Sequence, residues 1–266
     1  MKNPYFELHK EFRAAGAELL VSSGQACVLY GIATFSKDGD WIIRETEVSC
    51  RAVLGVLAAH RATYRMGAPL DVRWLSQGWT SHFEFMSDEG IRVRTDFVSR
   101  PPRIDDVKNV WKNAIIRDGI DMVDLESLVR LKQTRRERDY NVIGALAMVC
   151  GFNEGNARIA LEYLQDYEQL AKAVSRWPEN ARACSRPAVS LIVNGAARRD
   201  VVAALAIEKD ELVESDSRRI DGIRSQSRRY MRTFINLTHS WKQRSTSLPG
   251  QHAELVQAAS VALRHE

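Results

Sequence analysis

Apolar and polar residues alternate along two neighbouring segments, Ser81–Met86 and Ile91–Ser99, and this period of two predicts β-strands. The Asp-Glu-Gly sequence between them is typical of a tight turn, so we expect an antiparallel hairpin. Because successive side chains of a strand point to opposite sides, Arg92, Arg94 and Asp96 should share one face of the second strand.

Shorter signals precede the hairpin. Glu18–Val21 has an extended character, and Asp38–Ile43 places β-branched residues after a glycine turn, which predicts a strand. Gln25–Tyr30 predicts a short helix between them. Thr46–His60 has apolar residues at helical spacing, with Thr46 suited to cap the first turn. The first part of the chain therefore mixes strands and helices.

From Tyr140 onward the spacing of apolar residues is helical, apart from breaks at glycines and prolines. We therefore predict a boundary near residue 150, with a catalytic domain at 1–150 and a helical domain at 151–266 that binds substrate or a partner. The expected fold class is α+β, followed by an all-α C-terminal region.

The composition is that of an ordinary globular protein. Of its 266 residues, 45% are hydrophobic and 27% charged, which excludes collagen-like, coiled-coil and disordered classes. No apolar run approaches the roughly 18 to 20 residues that span a bilayer. The N-terminal residues lack an apolar signal core, so we expect a cytoplasmic protein without membrane contact. The four cysteines are scattered, which argues against a zinc site or a disulfide framework.

Positive charge is concentrated in one segment rather than spread along the chain. The net charge is only +4, but Ser217–Arg244 contains eight basic residues and one acidic residue. Such a stripe on a helix could follow an RNA backbone. It could equally be a solvated helix face, or pair with the acidic residues that precede it at 208–216. The candidate nucleic-acid contacts in this segment are Arg218, Arg219, Arg228, Arg229 and Arg232.

The candidate chemistry lies in three aspartates. Asp38 and Asp40 are two apart at the start of a predicted strand, so both carboxylates project to one side. Two such carboxylates repel each other unless a cation lies between them, and hard oxygen ligands suit Mg²⁺, which also bridges phosphates. Asp96 lies on a strand that could be a neighbour. The alternative for the spacing of Asp38 and Asp40 alone is an ordinary surface turn.

Four segments, taken in order, resemble the polymerase-β-like nucleotidyltransferase superfamily. A turn at Ser23-Gly24 opens Gly24–Gly31, and the aspartate pair ends Phe35–Asp40. Ile91–Arg100 is similar to the strand that bears the third acid of the family. Leu128–Tyr140 is similar to the Lys…Arg-Asp segment of small bacterial members, which include toxins of toxin–antitoxin and abortive-infection systems.

The resemblance implies a short mixed sheet flanked by helices, with Mg²⁺ or Mn²⁺ and a nucleoside triphosphate such as ATP in a cleft. Asp38 and Asp40 would hold the metals. Asp96 would complete that set and act as general base, or orient the acceptor hydroxyl. Asp139 would orient the acceptor or a phosphate-binding lysine. The phosphates would be contacted by Ser23, Gly24, Lys37 and Lys132.

The activity implied is transfer of a nucleoside monophosphate to a hydroxyl, with RNA and the tRNA 3′ end favoured as acceptor. The protein would then be a toxin or phage-defence effector restrained by an antitoxin. Two alternatives stay open: transfer to a protein or small molecule, and an inactive domain that only binds. Ser23, Gly39 and Trp41 depart from the family pattern, which has glycine at the first position and aliphatic residues at the others. Arg92 and Arg94 could bind phosphates or the acceptor, or pair with the acids.

Overall fold

The computed structural model describes residues 3–263. The chain divides into two compact units, one formed by Met1–Asp124 with Gly222–Glu266 and the other by Leu125–Asp221. This division differs from the predicted boundary at residue 150, because the end of the chain returns to the first unit. The functional roles of the predicted domains 1–150 and 151–266 stay predictions.

The first unit contains every strand of the described chain. Its strands are β1 (Leu19–Ser22), β2 (Gly39–Ile43), β3 (Thr63–Gly67), β4 (Ser81–Met86), β5 (Arg92–Val98), β6 (Ile115–Arg117) and β7 (Ile120–Met122). The helices of its N-terminal segment are α1 (Pro4–Ala14), α2 (Ser23–Leu29), α3 (Glu47–Ala59), α4 (Val72–Leu75) and α5 (Val107–Lys112).

The described residues after β7 are helical or form connecting turns. The helices are α6 (Leu125–Leu131), α7 (Glu137–Met148), α8 (Ala157–Tyr163), α9 (Tyr167–Arg176), α10 (Pro178–Ala183), α11 (Pro187–Val193), α12 (Arg198–Arg244) and α13 (Leu248–Ala262), with a π-helical turn at Val149–Asn153. Across the described residues, none of these helices combines the length and the apolar character that crossing a bilayer requires.

The strands form one seven-stranded sheet in the order β3-β4-β5-β2-β1-β7-β6. Strand β2 runs parallel to β5 and β1 runs parallel to β7, whereas the other neighbours are antiparallel. The sheet is therefore mixed, and the α+β class with a helical C-terminal region is confirmed. The predicted hairpin is also confirmed, because β4 and β5 pair antiparallel.

One face of the sheet carries the hydrophobic core of the first unit. Trp41 of β2 is fully buried there and stacks on Phe97 of β5, with ring centroids 5.4 Å apart. Phe12 of α1 packs edge-on against both rings. The opposite face carries Arg94 and Asp96, as the alternation along this strand predicted. The sheet thus has one apolar face and one polar face.

Gly39 and Trp41 form a complementary pair on the apolar face. A Cβ atom at residue 39 would lie 2.5 Å from Cη2 of Trp41 and 2.5 Å from Cδ1 of Tyr5. The tryptophan ring therefore fills the space that a side chain at residue 39 would occupy. Gly39 and Trp41, the two residues that depart from the pattern, therefore fit together in the core. The Trp41 ring points away from the polar face.

The end of the chain packs onto the edge of the sheet. In the part of α12 that belongs to the first unit, the Tyr230 hydroxyl donates to the Gly67 carbonyl at 2.9 Å. Gln251 of α13 is buried, and its side-chain oxygen accepts from the Tyr64 backbone N–H at 3.0 Å. These contacts are long-range in sequence, which explains why helical periodicity alone did not assign this segment to the first unit.

The second unit is helical and is held in part by a sheltered ion pair. Arg186 Nε lies 2.7 Å from Glu208 of α12, and only 10% and 17% of the two side chains are exposed. The other Glu208 oxygen accepts from the Ala188 N–H in the first turn of α11. One carboxylate therefore satisfies a helix terminus and neutralises an arginine at the same time.

We expect Gly39→Ala to lower the free energy of unfolding by about 1–3 kcal/mol, because the added methyl group overpacks a rigid aromatic cluster. The measurement is urea denaturation followed by tryptophan fluorescence. Gly55→Ala is the matched control, since nothing lies within 4 Å of its Cβ position on α3. In a Trp41→Leu background, Gly39→Ala should lower the free energy of unfolding by a smaller amount. Equal costs in both backgrounds would contradict the packing account.

His9 of α1 should make stability depend on pH. It is 1% exposed, and desolvation, only partly opposed by Asp121, lowers its pKa to about 4. Its Nε2 accepts from the Asp121 N–H at 3.3 Å, which requires the neutral ring. The unfolded chain takes up this proton below about pH 6.5, whereas the folded chain does so only near the lowered pKa. The stability that His9 contributes through its neutral ring is therefore fully present above pH 6.5 and decreases as the pH falls.

Between pH 7 and pH 5 we expect the free energy of unfolding of the wild-type protein to fall by roughly 2 kcal/mol because of His9. Urea midpoints at both pH values, compared with those of His9→Gln, measure it. The variant should lose less stability than wild type over this interval. An identical loss in both proteins would show that His9 is not the titrating group.

Candidate active site

Pairing between strands aligns polar residues in a row across the polar face. Ser22 of β1 is the register partner of Asp40 of β2. Asp40 is in turn the partner of Asp96 on the parallel strand β5. Asp96 is also the partner of His82 on β4. The two aspartates that the sequence placed on separate strands are thus nearest neighbours across the sheet.

Asp38 lies two residues before Asp40 and faces the same way. Its Oδ1 is 3.7 Å from Arg94 Nη1, and this oxygen is buried without a hydrogen-bond partner. Arg94 Nε is also 4.0 Å from Glu84 of β4. Asp38 therefore has a partly compensated charge and a buried oxygen able to accept a further ligand.

Two side chains contact Asp96. Arg65 of β3 donates from Nη2 to Asp96 Oδ1 at 2.8 Å, and His82 Nδ1 is 2.8 Å from the same oxygen. Burial alone would raise the pKa of Asp96, but His82 and Arg65 together lower it. Asp96 is therefore held as an ionised carboxylate, with its charge neutralised by these neighbours.

The donor set fits a divalent cation at Asp38 and Asp40. Among residues 3–263 no three acidic, histidine or cysteine side chains are grouped as metal ligands, because Asp96 is engaged by Arg65 and His82. Mg²⁺ commonly binds through one or two carboxylates together with substrate phosphates and water. The unpartnered Asp38 oxygen and the neighbouring carboxylate of Asp40 match that requirement.

The first turn of α2, at Ser23 and Gly24, is tightly packed against the loop that carries Asp38. Ser23 has a φ of +50°, in the left-handed region that favours glycine. Gly24 lies so close to Ser36 that a Cβ atom would be 2.1 Å from the serine Oγ. The Gln25 amide donates to the carbonyls of Ser36 and Asp38. These contacts hold the Ser23-Gly24 turn and the loop that carries Asp38 together.

The remaining predicted phosphate contacts have different environments. Lys37 is exposed in the loop before β2. In the second unit, Lys132 is only 7% exposed and its ammonium group has no ion pair among the described residues. Asp139 is 4% exposed, and it accepts from the Thr134 hydroxyl at 2.5 Å and from Arg136 Nε at 2.9 Å. Asp139 is therefore oriented by Thr134 and Arg136.

The predicted nucleic-acid contacts fall into paired and unpaired groups. Arg92 donates to Glu84. In the second unit, Arg218 pairs with Glu214, and Arg219 pairs with the buried Asp216. In the first unit, three exposed arginines of α12 form no ion pair with any described residue. These three are Arg228, Arg229 and Arg232.

Two residues of this site had no signal in the sequence. Arg65 lies on β3, which was not predicted because its register shifts between Tyr64 and Met66 and its residues do not alternate. Thr80 precedes β4, and its hydroxyl lies 2.8 Å from His82 Nε2. The structure places His82 on the polar face, against Asp96.

Comparison with known proteins gave matches only to solved structures. No family model matches the chain, and no curated protein matches it. JHP933 from Helicobacter pylori is 12% identical, with a TM-score of 0.41, and the match covers 85% of this chain and 99% of that protein. A Helicobacter pylori protein provisionally described as a nucleotidyltransferase is 13% identical, with a TM-score of 0.41 and coverages of 82% and 98%.

Removing the Cβ atom at residue 23 and adding one at residue 24 should have opposite effects on the stability of the protein. Ser23→Gly relieves the left-handed conformation and should stabilise the protein by up to about 1 kcal/mol. Gly24→Ala drives a methyl group into Ser36 and should destabilise it by about 1–3 kcal/mol. Thermal denaturation checks both changes. Combining Gly24→Ala with Ser36→Gly should recover part of the loss, and no recovery would speak against this contact.

Proposed function

We propose that the protein is a nucleotidyltransferase that moves a nucleoside monophosphate from a nucleoside triphosphate to a hydroxyl group of RNA. The observation that carries the proposal is the register of β2 against β5, which makes Asp40 and Asp96 neighbours on the polar face. Asp38 lies on the same face, and the Ser23-Gly24 turn packs on its loop. Acids from two strands beside a glycine turn are the arrangement that phosphoryl transfer requires.

Asp38 and Asp40 would hold the divalent cation, Mg²⁺ or Mn²⁺. When bound, the cation neutralises the triphosphate and favours departure of pyrophosphate. Both carboxylates are only partly exposed, so water competes less for the site than on an open surface. Asp96 has a different task in this proposal: its ionised carboxylate orients His82 and Arg65, which line the acceptor side.

Cationic side chains of this chain would bind the phosphates. The Nε–H groups of Arg65 and Arg94 are buried without a hydrogen-bond partner, so each has a donor left for an anion. Lys132 and Asp139 lie in the second unit, and their roles in contacting the phosphates and in orienting that lysine stay predictions from the sequence.

RNA is the favoured acceptor because of the charge on α12. From residue 222 to residue 253 the chain contains no aspartate or glutamate. The exposed Arg228, Arg229 and Arg232 lie in this stretch and would attract a phosphate backbone. The proposal extends to the tRNA 3′ end as acceptor and to a toxin or defence role restrained by an antitoxin.

The test is to incubate the protein with each α-labelled nucleoside triphosphate, Mg²⁺ or Mn²⁺ and bulk tRNA. We expect label to enter an RNase-sensitive product while pyrophosphate is released. Asp40→Asn should lower the rate by about 100-fold or more, because it removes a charge on which the reacting phosphates depend. Asp88→Asn, in the exposed β4–β5 turn, is the matched control and should retain full activity.

Label only in RNase-resistant products, with none in RNA, would replace RNA by a protein or small-molecule acceptor. Nucleotide binding without pyrophosphate release would favour the inactive binding domain. If Asp40→Asn leaves the activity unchanged, the aspartate pair is not the active site.

A further inference from the structure

A hydroxyl, an imidazole and a carboxylate lie in series on the polar face. Thr80 Oγ1 is 2.8 Å from His82 Nε2, and His82 Nδ1 is 2.8 Å from Asp96 Oδ1. The first contact is a hydrogen bond, and the second is a close contact between a ring nitrogen and a carboxylate oxygen.

The protonation pattern of this series follows from Asp96. An ionised carboxylate only accepts, so His82 carries its proton on Nδ1 and faces Asp96 with it. His82 Nε2 then has a free electron pair, and Thr80 must donate its hydroxyl proton to it. This is the order of groups in which a base activates a hydroxyl nucleophile while a carboxylate holds the base.

The series lies beside the proposed nucleotide site. His82, Asp96 and Asp40 are consecutive register partners on β4, β5 and β2. Adjacent strands are about 4.8 Å apart, so the backbones at Asp40 and His82 are separated by roughly 10 Å. Thr80 is partly exposed, and Arg65, which binds the same Asp96 oxygen, has an unpartnered Nε–H. A hydroxyl, its base and a cationic donor for phosphate thus lie on the same face as Asp40, two strands away from it and on the side opposite to Asp38.

We propose that Thr80 is a self-nucleotidylylation site, at which the hydroxyl accepts a nucleoside monophosphate from the nucleoside triphosphate that the protein binds. The inference rests on the proposed function, because it uses the same donor. Thr80 Oγ1 attacks the α-phosphorus, a P–O bond to the threonine forms, and the α–β phosphoanhydride bond breaks. Pyrophosphate leaves with the electron pair of that bond.

The proton released by Thr80 passes to His82 Nε2, and the resulting imidazolium is stabilised by Asp96. Arg65 stays bound to Asp96 and offers its Nε–H to a phosphoryl oxygen. The product is a phosphodiester on Thr80, beside the catalytic row.

The experiment incubates full-length protein with each nucleoside triphosphate and Mg²⁺, without RNA, and maps adducts by mass spectrometry of tryptic peptides. We expect one nucleoside monophosphate on Thr80. The adduct should be absent in Thr80→Val, retained in Thr80→Ser, and about 100-fold slower to form in His82→Gln, since the base is lost. Thr233→Val, an exposed threonine of α12, is the matched control and should be modified like wild type.

Pyrophosphate release with tRNA is measured in parallel on every variant, and thermal denaturation confirms that each is folded. Release with tRNA but no adduct on Thr80 would overturn this inference and leave the proposed function standing. An adduct on another residue, or one unaffected by His82→Gln, would also overturn it. Neither release nor adduct with any nucleoside triphosphate would overturn both.

Discussion

The parallel pairing of β2 with β5 is the constraint on which the polar face depends. It places Asp40 directly beside Asp96, and two carboxylates so close repel each other unless positive charge is near. The fold provides that charge from outside the pair, through Arg65 at Asp96 and Arg94 at Asp38. The apolar face beneath this polar cluster is closely packed around Trp41 and Phe97.

On that apolar face, two residues of β2 pack against each other in a complementary way. Trp41 is much larger than the aliphatic residue of the family pattern, and Gly39 has no side chain, so the ring of one occupies the space left by the other. Both changes are confined to the apolar face, and the acids on the opposite face keep their spacing. The unusual residues near the aspartates therefore do not obstruct the candidate site.

The sequence was most informative where structure is local. Alternation predicted the β4–β5 hairpin and the face shared by Arg94 and Asp96, and the Thr46 side chain does accept from the Ser49 N–H at 3.2 Å. Strand β3 was missed because a shift in register breaks its alternation, and with it the role of Arg65. His82 lies opposite Asp96 on the predicted hairpin, so only the Arg65 partner came from a strand that the sequence did not reveal. The return of α13 to the first unit depends on equally distant contacts.

That return makes the first unit discontinuous, and the order of synthesis follows from it. About a hundred residues of the second unit lie in sequence between β7 and the segment that closes over β3 (domains usually mature from the N-terminus as the chain emerges). The backbone groups of Tyr64 and Gly67 at the sheet edge therefore find Gln251 and Tyr230 only after α12 and α13 have been synthesised. A nascent chain carries the acidic row well before the segment that covers this edge.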